Sequence, residues 1–553
     1  MFSKFHKLFD ALHERERQIF QSASIVFLLS FFLNGANLFY KATVLSPIEG
    51  GSYTEAVVGQ PIAINPLLMG QNEVDRDLIP LLFSPLKDLS ESIEVNDDKR
   101  TWTVTLPTDL YWSDGKPLTT DDIIFTLQTI QNPDATSPLM NAWQGVSTER
   151  VSAEVVRIVL KTPYAFFGEN LEWLYIVPEH IFGAIPAANL RLSDYNLEPV
   201  GSGPYMFSQY TKRKDGFITL YHFGTNPHFR GNAALIKNFS FAFFGSYTEA
   251  IKAFNRREVD GLGGMSPEEE QNLIKVAHEV HEISIPRYYA VFFNPAASIE
   301  LKEVAVRRAL AKGVNKKELV DEALLGKGIT IDGPLHPQLE GYDPGALSSL
   351  SYDEEAAKEL LDNAGWKIGD DGIREKAFGK DTRRLSFQMI VPDIDFLKQT
   401  GELIKSEWKN LGVDIELVTL SPIEITNEVI KNRNYTMLLF GNILKETPDI
   451  FSFWHSSERF RSGLNLAFYE NKSVDALLES VRREFGTDAR RNMLSSIQEK
   501  ITADAPAVFL FSPSYLYAGP RTLGGFDERF MESPSRRFEN IEEWYLKTAR
   551  VFK

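Results

Sequence analysis

The chain of 553 residues contains no cysteine. Disulfides, thiol catalysis and cysteine-ligated metals are excluded, and so is a lipid attached to an N-terminal cysteine. Surplus positive charge is also missing. With 59 basic against 75 acidic side chains, the formal charge is −16, which speaks against a nucleic-acid partner because few cations are left over to neutralise phosphates. Histidine is scarce, and the nine present are scattered. His278 and His281 form H-E-x-H, one residue short of the zinc-helix spacing, and read as a solvated helix face. There is no G-x-S-x-G nucleophile elbow and no G-x-x-x-x-G-K phosphate loop. Gly261-Leu-Gly-Gly264 lacks the strand-then-helix frame of a dinucleotide loop and reads as loop punctuation. The carboxylates are spread too evenly for a catalytic pair to stand out. Neither catalysis, a cofactor nor a bound metal is expected.

Long apolar runs are few as well: a single stretch, Ile19 to Tyr40, is long enough to cross a hydrocarbon core as a helix. Lys4, Lys7, Arg15 and Arg17 precede it, whereas Lys41 alone follows closely. The positive-inside bias places residues 1–18 in the cytoplasm, 19–40 in the membrane and the rest outside. The long basic region and the lack of an A-x-A site favour an uncleaved anchor over a signal peptide. The expected location is the cell membrane, single-pass, with the body on the extracytoplasmic side. Ser46-Pro-Ile-Glu-Gly-Gly51 reads as a turn-rich stretch between anchor and body.

What remains is too long for one core, so two or more lobes are expected. Short strands alternate with amphipathic helices, which predicts an α/β class. Thr101-Trp-Thr-Val-Thr-Leu106 and Phe217-Ile-Thr-Leu-Tyr221 alternate as half-buried strands, and Tyr288 to Phe293 reads as a buried one. Thr119-Thr-Asp-Asp122 reads as a capped helix start. Glu249 to Phe254, Tyr352 to Ala364 and Leu403 to Leu411 have helical spacing, with Gly365 and Gly412 as stops.

Gly50 to Ala56 with Ile64-Asn-Pro66, Leu110-Tyr-Trp-Ser-Asp-Gly-Lys-Pro-Leu-Thr-Thr-Asp-Asp122 and Pro199-Val-Gly-Ser-Gly-Pro-Tyr205 follow one another along the chain. Phe254 to Asp260, Val306 to Leu310 with Val314-Asn315, and Tyr352 to Trp366 come after them. In this order the segments resemble the family 5 solute-binding proteins, the peptide- and nickel-binding receptors of bacterial ABC importers. Most of these motifs read as fold chemistry. Trp112 to Gly115 is a turn, Gly201 to Pro204 a tight crossing, and Arg307 a structural ion-pair partner.

The resemblance implies a two-lobed, periplasmic-binding-protein-like α/β fold of class II (cluster C), behind one transmembrane helix. Lobe I would comprise residues 46–286 and 513–553, lobe II residues 287–512, with a hinge of two crossing strands. It also implies a monomer that binds a peptide between the lobes and delivers it to an ABC permease with a cytoplasmic ATPase. The alternatives are another solute, such as a nickel complex or a sugar, or a peptide sensor or chaperone that transports nothing. In relatives that take short peptides, an aspartate shortly before a lobe II proline pairs with the ligand's ammonium. Counted back from Pro448, that place holds Leu444, with Glu446 and Asp449 nearby, which favours longer peptides held through their backbone. The expected cleft contacts are Met69, Gly70 and Gln71, the hinge-side Tyr289 and Asn294, and Gly441 and Asn442.

Overall fold

Two β-sheets, each with its own core, organise the chain beyond its N-terminal helix. The structure, a computed structural model, describes residues 13–70, 72–274, 278–445, 447–460 and 463–553, with 348 and 349 described for the backbone alone. The helix Glu14–Ala42 covers the whole apolar stretch and has the length and composition to cross a membrane, and none of its residues is buried against the body. It runs directly into strand Thr43–Ile48, which pairs antiparallel with Lys547–Phe552 at the far end of the chain. Of the expected turn-rich stretch, Ser46 to Ile48 belong to this strand, while Glu49 to Gly51 form a bend in which both glycines have positive φ. The strand's partner lies some five hundred positions away, beyond the reach of any local pattern.

The first sheet has seven strands in the order His278–Ile283, Tyr515–Pro520, Gly261–Met265, Ser52–Val58, Asn238–Phe244, Ile218–Thr225 and Tyr205–Lys212. Two segments of this sheet differ from expectation. The histidines expected on a helix face lie on an edge strand: His278 packs against Phe254 and His281 edge-on against Phe526, 4.9 Å between centroids. The Gly261–Gly264 segment is a strand inside the sheet, not a loop. A Cβ on Gly261 would lie 2.1 Å from the Glu55 carboxylate and 2.4 Å from the Tyr53 hydroxyl, and one on Gly263 would lie 2.1 Å from the Tyr515 hydroxyl. The glycines make room for a buried polar cluster. There Tyr53 and Tyr517 share a hydrogen bond of 2.6 Å, Tyr517 donates to Glu55, and Arg537 donates to both Glu55 and Asp77.

A four-stranded side sheet carries the Thr101–Thr105 strand with Trp102 and Val104 buried, as its alternation predicts. Helix Thr120–Gln131 opens with Thr119 and Asp122 in a reciprocal capping box. The Gly201–Pro204 motif is the expected tight crossing: a Cβ on Gly201 would stand 1.8 Å from the Leu82 carbonyl oxygen.

The second sheet has six strands in the order Gly328–Thr330, Ala507–Pro513, Arg287–Phe293, Met437–Ile443, Ser386–Pro392 and Asp414–Leu420. Helices Val304–Lys312, Glu354–Asn363 and Asp395–Asn410 close one face, Lys472–Val481 and Thr487–Asp504 the other. Gly365 and Gly412 stop their helices with φ of +87° and +80°. Helix Asp395–Asn410 begins well before the predicted Leu403, because Thr400 and Gly401 stand in its buried stripe beside Leu397, Ile404 and Trp408 and mask the period. Among the described residues Arg307 forms no ion pair, contrary to expectation; its guanidinium instead clamps the carbonyls of Leu301, Lys302, Asp504 and Ala505.

The chain leaves the first sheet at Ile283 and enters the second at Arg287, then returns between Pro513 and Tyr515. The lobes are joined by these two short crossings.

Candidate functional site

Three features lie between the lobes. At the hinge, His336 of lobe II is fully buried and stacks on Phe530 of lobe I. Its Nδ1 accepts the Gln338 backbone N–H at 3.3 Å, so the proton sits on Nε2, which donates to Ser284 at the first crossing, also at 3.3 Å. Burial pushes His336 down to about 4. Close by, Lys327 of lobe II reaches Glu282 at 2.6 Å and Glu270 at 3.5 Å, both on the lobe I side.

Away from the hinge, residues 164–166 of lobe I dock on lobe II. The Tyr164 hydroxyl donates to Asp449 at 2.7 Å, and Arg482 donates to the same carboxylate oxygen at 3.0 Å. The Ala165 N–H donates to the Arg482 carbonyl, and Phe166 is buried in the lobe II core. Burial, with the Asp449 charge beside it, raises the Tyr164 hydroxyl well above its usual range and keeps it a donor.

Between these contacts lies a trough made of two cavities. The first, about 410 Å³, has a lobe I floor that includes Pro66, Met69, Gly70, Ile79, Pro80, Trp173, Tyr175 and Arg536, with Lys445 and Thr447 of lobe II facing it. The second, about 990 Å³, lies between a lobe I wall that includes Lys161 to Tyr164 and a lobe II wall that includes Phe451, Glu479 and Arg483. Ala142, Asn170, Lys445 and Thr447 line both, so the two cavities adjoin. Trp173 is fixed in the floor between two cations: Lys87 Nζ lies 3.5 Å and the Arg536 guanidinium 2.9 Å from the ring centroid. Glu539 pairs with both cations and Glu532 with Arg536, which holds the sandwich together.

Met69 and Gly70 line the trough, while Gln71 lies outside the described residues. Tyr289, Asn294, Gly441 and Asn442 sit in or beside the second sheet and line neither cavity. Tyr289 lies across Gly441, whose Cβ would come within 3.0 Å of the ring. Asn294 is buried and bonds the Tyr435 carbonyl, and Asn442 bonds the Tyr288 hydroxyl. Leu444 is buried in the lobe II core, Asp449 is committed to Tyr164 and Arg482, and Glu446 lies outside the described residues.

Trp173, Lys445, Thr447 and Arg536 also line the trough and are not among the contacts expected from sequence. The closely spaced acids and arginines from Glu532 to Glu539 signal local pairing, but nothing local ties them to Trp173.

Residues 84–461 match the family described as bacterial extracellular solute-binding proteins, family 5 Middle. The oligopeptide-binding protein AppA of Bacillus subtilis is 24% identical over 96% of this chain and 99% of its own length. Protein XP55 of Streptomyces lividans is 30% identical over 80% of this chain and 78% of its own. The structure of Bacillus subtilis AppA in complex with a nonapeptide superposes with a TM-score of 0.69 at 23% identity, covering 91% of this chain and all of that one. A family match over most of the body, on a fold of two hinged lobes with a trough between them, makes this chain a family 5 bacterial extracellular solute-binding protein.

Proposed function

We propose that this protein binds peptides in the trough between its lobes and delivers them to an ABC permease with a cytoplasmic ATPase. Helix Glu14–Ala42 holds it, as a monomer, at the outer face of the cell membrane. The observation that carries the reading is the pair of adjoining cavities, each walled by both lobes. A ligand there touches both sides and favours closure, with the hinge at the crossings and lobe boundaries at 286/287 and 512/513.

Peptide is the best-supported cargo for two reasons. The trough offers apolar surface at Met69, Trp173 and Phe451 and charges of both signs at Lys161, Lys445, Glu479 and Arg483, which suits a zwitterionic chain with varied side chains. The relatives include an oligopeptide-binding protein matched over nearly its whole length. A bare metal ion has less support, since among the described residues no three His, Asp or Glu side chains come together as a ligand set.

A pool of nonapeptides is expected to raise stability by about 2.7 kcal/mol at a hundredfold excess over Kd. N-acetylated peptides are expected to do nearly as well, within about 1 kcal/mol, because Leu444 offers no carboxylate and Asp449 is already paired. Thermal unfolding with each pool measures both. A shift with sugars or chelated nickel and none with peptides would replace the proposed cargo.

A further inference from the structure

The outer end of the N-terminal helix is closed by the other end of the chain. Lys553 donates its backbone N–H to the Ala42 carbonyl at 2.9 Å. Arg550 reaches the Tyr40 carbonyl at 3.5 Å and the Thr43 hydroxyl at 3.2 Å, with its guanidinium 3.9 Å from the Tyr40 ring centroid. Phe39 meets Phe552 edge-on at 6.0 Å. The last residues thus supply the donors and the positive charge that a helix C-terminus lacks.

The ribbon that follows is unusual for a water-exposed element. A lone pair of strands is marginal in water, and this one is apolar on both faces. Leu45 and Phe552 share one face, 63% and 75% exposed, and Val44 pairs with Val551 on the other. Lys547 and Arg550 within it, with Lys41 and Lys553 beside it, form a cationic group on a chain of net charge −16. Among the described residues no carboxylate is ion-paired with any of the four.

We propose that the first rungs of this ribbon lie in the headgroup layer of an anionic outer leaflet. Tyr40, Val551 and Phe552 face the hydrocarbon boundary, and Arg550 and Lys553 contact lipid phosphates. The C-terminus is then a second membrane contact, a reading that rests on the helix being a retained anchor. The dimensions agree. Ile19 to Tyr40 spans roughly 33 Å as a helix, against a core of about 30 Å. The headgroup layer on each side adds roughly 5–7 Å, about two rungs of strand at ~3.4 Å each. Those rungs are Thr43 with Phe552 and Val44 with Val551. Aromatic and basic side chains are the residues that membrane interfaces favour.

With no native cysteine, a spin label can be placed at one position of the full chain. Val551→Cys and, as a control on a distant exposed turn, Lys214→Cys are labelled in nanodiscs containing phosphatidylglycerol. The Val551→Cys label is expected to collide more with oxygen than with a water-soluble nickel chelate, and the Lys214→Cys label the reverse. Adding Arg550→Glu and Lys553→Glu should move the Val551→Cys label toward water. Equal, water-like accessibility at both sites, with the helix still in the bilayer, would overturn the inference and leave the anchor standing. Recovery from native cells of a chain cleaved before Thr43 would overturn both.

Discussion

Arg537→Ala is expected to destabilise the body by about 3–5 kcal/mol, the cost of removing one partner from a buried ion cluster. The Arg537 side chain is 2% exposed and lies between Glu55, at 0%, and Asp77, at 9%. It donates to Asp77 at 2.6 Å and to Glu55 at 3.3 Å, and its guanidinium stacks on Phe538 at 4.1 Å. Without it, two buried carboxylates face each other with no counter-ion and must stay charged or take up protons; both cost stability. The cluster joins strand Ser52–Val58, helix Glu73–Leu82 and the C-terminal segment, so the loss falls on the lobe I core. Urea denaturation reads it directly. A triple variant, Arg537→Met with Glu55→Gln and Asp77→Asn, should recover part of the loss because it removes charge together with partner. Equal instability of both variants would point to packing rather than charge.

Acid is expected to weaken the hinge through His336. Burial holds this imidazole at about 4, whereas an unfolded histidine titrates near ~6.5. The folded form therefore resists the proton. Its contribution is fully present above about pH 6.5 and is lost as pH falls toward 4, on the order of 3 kcal/mol in all. Neutral His336 uses Nδ1 as an acceptor and Nε2 as a donor; protonation removes the acceptor and charges a side chain stacked on Phe530. Carboxylates titrate in the same range, so the comparison is with His336→Asn. The gap in unfolding free energy between wild type and variant should shrink from pH 7 to pH 4.5. A gap that does not change with pH would show that His336 already exchanges protons freely with solvent.

Legibility from sequence followed the range of the interactions. Local chemistry predicted the right elements: the alternation at Thr101–Thr105, the Thr119 capping box, and the glycine stops at 365 and 412. The Gly261 strand was missed because glycine is a poor strand former on its own; only the tyrosines and acid that cover it, drawn from three other segments, explain its place in the sheet. The H-E-x-H strand carries no alternation between apolar and polar residues. The ribbon Thr43–Ile48 depends wholly on a partner at the opposite end of the chain. The trough was hardest. Met69 and Gly70, expected at the cleft, do line the trough, but Trp173, Lys445 and Arg536 converge only after both lobes have folded.

Photo-crosslinking tests the central claim most directly. The full chain is irradiated with a nonapeptide pool carrying a central benzoylphenylalanine, digested, and mapped by mass spectrometry. Peptide attached to both walls of the trough, around Met69 and Trp173 in lobe I and from Lys445 to Arg483 in lobe II, is the expected result. Peptide on the outer surface only, or on one lobe only, would contradict binding between the lobes.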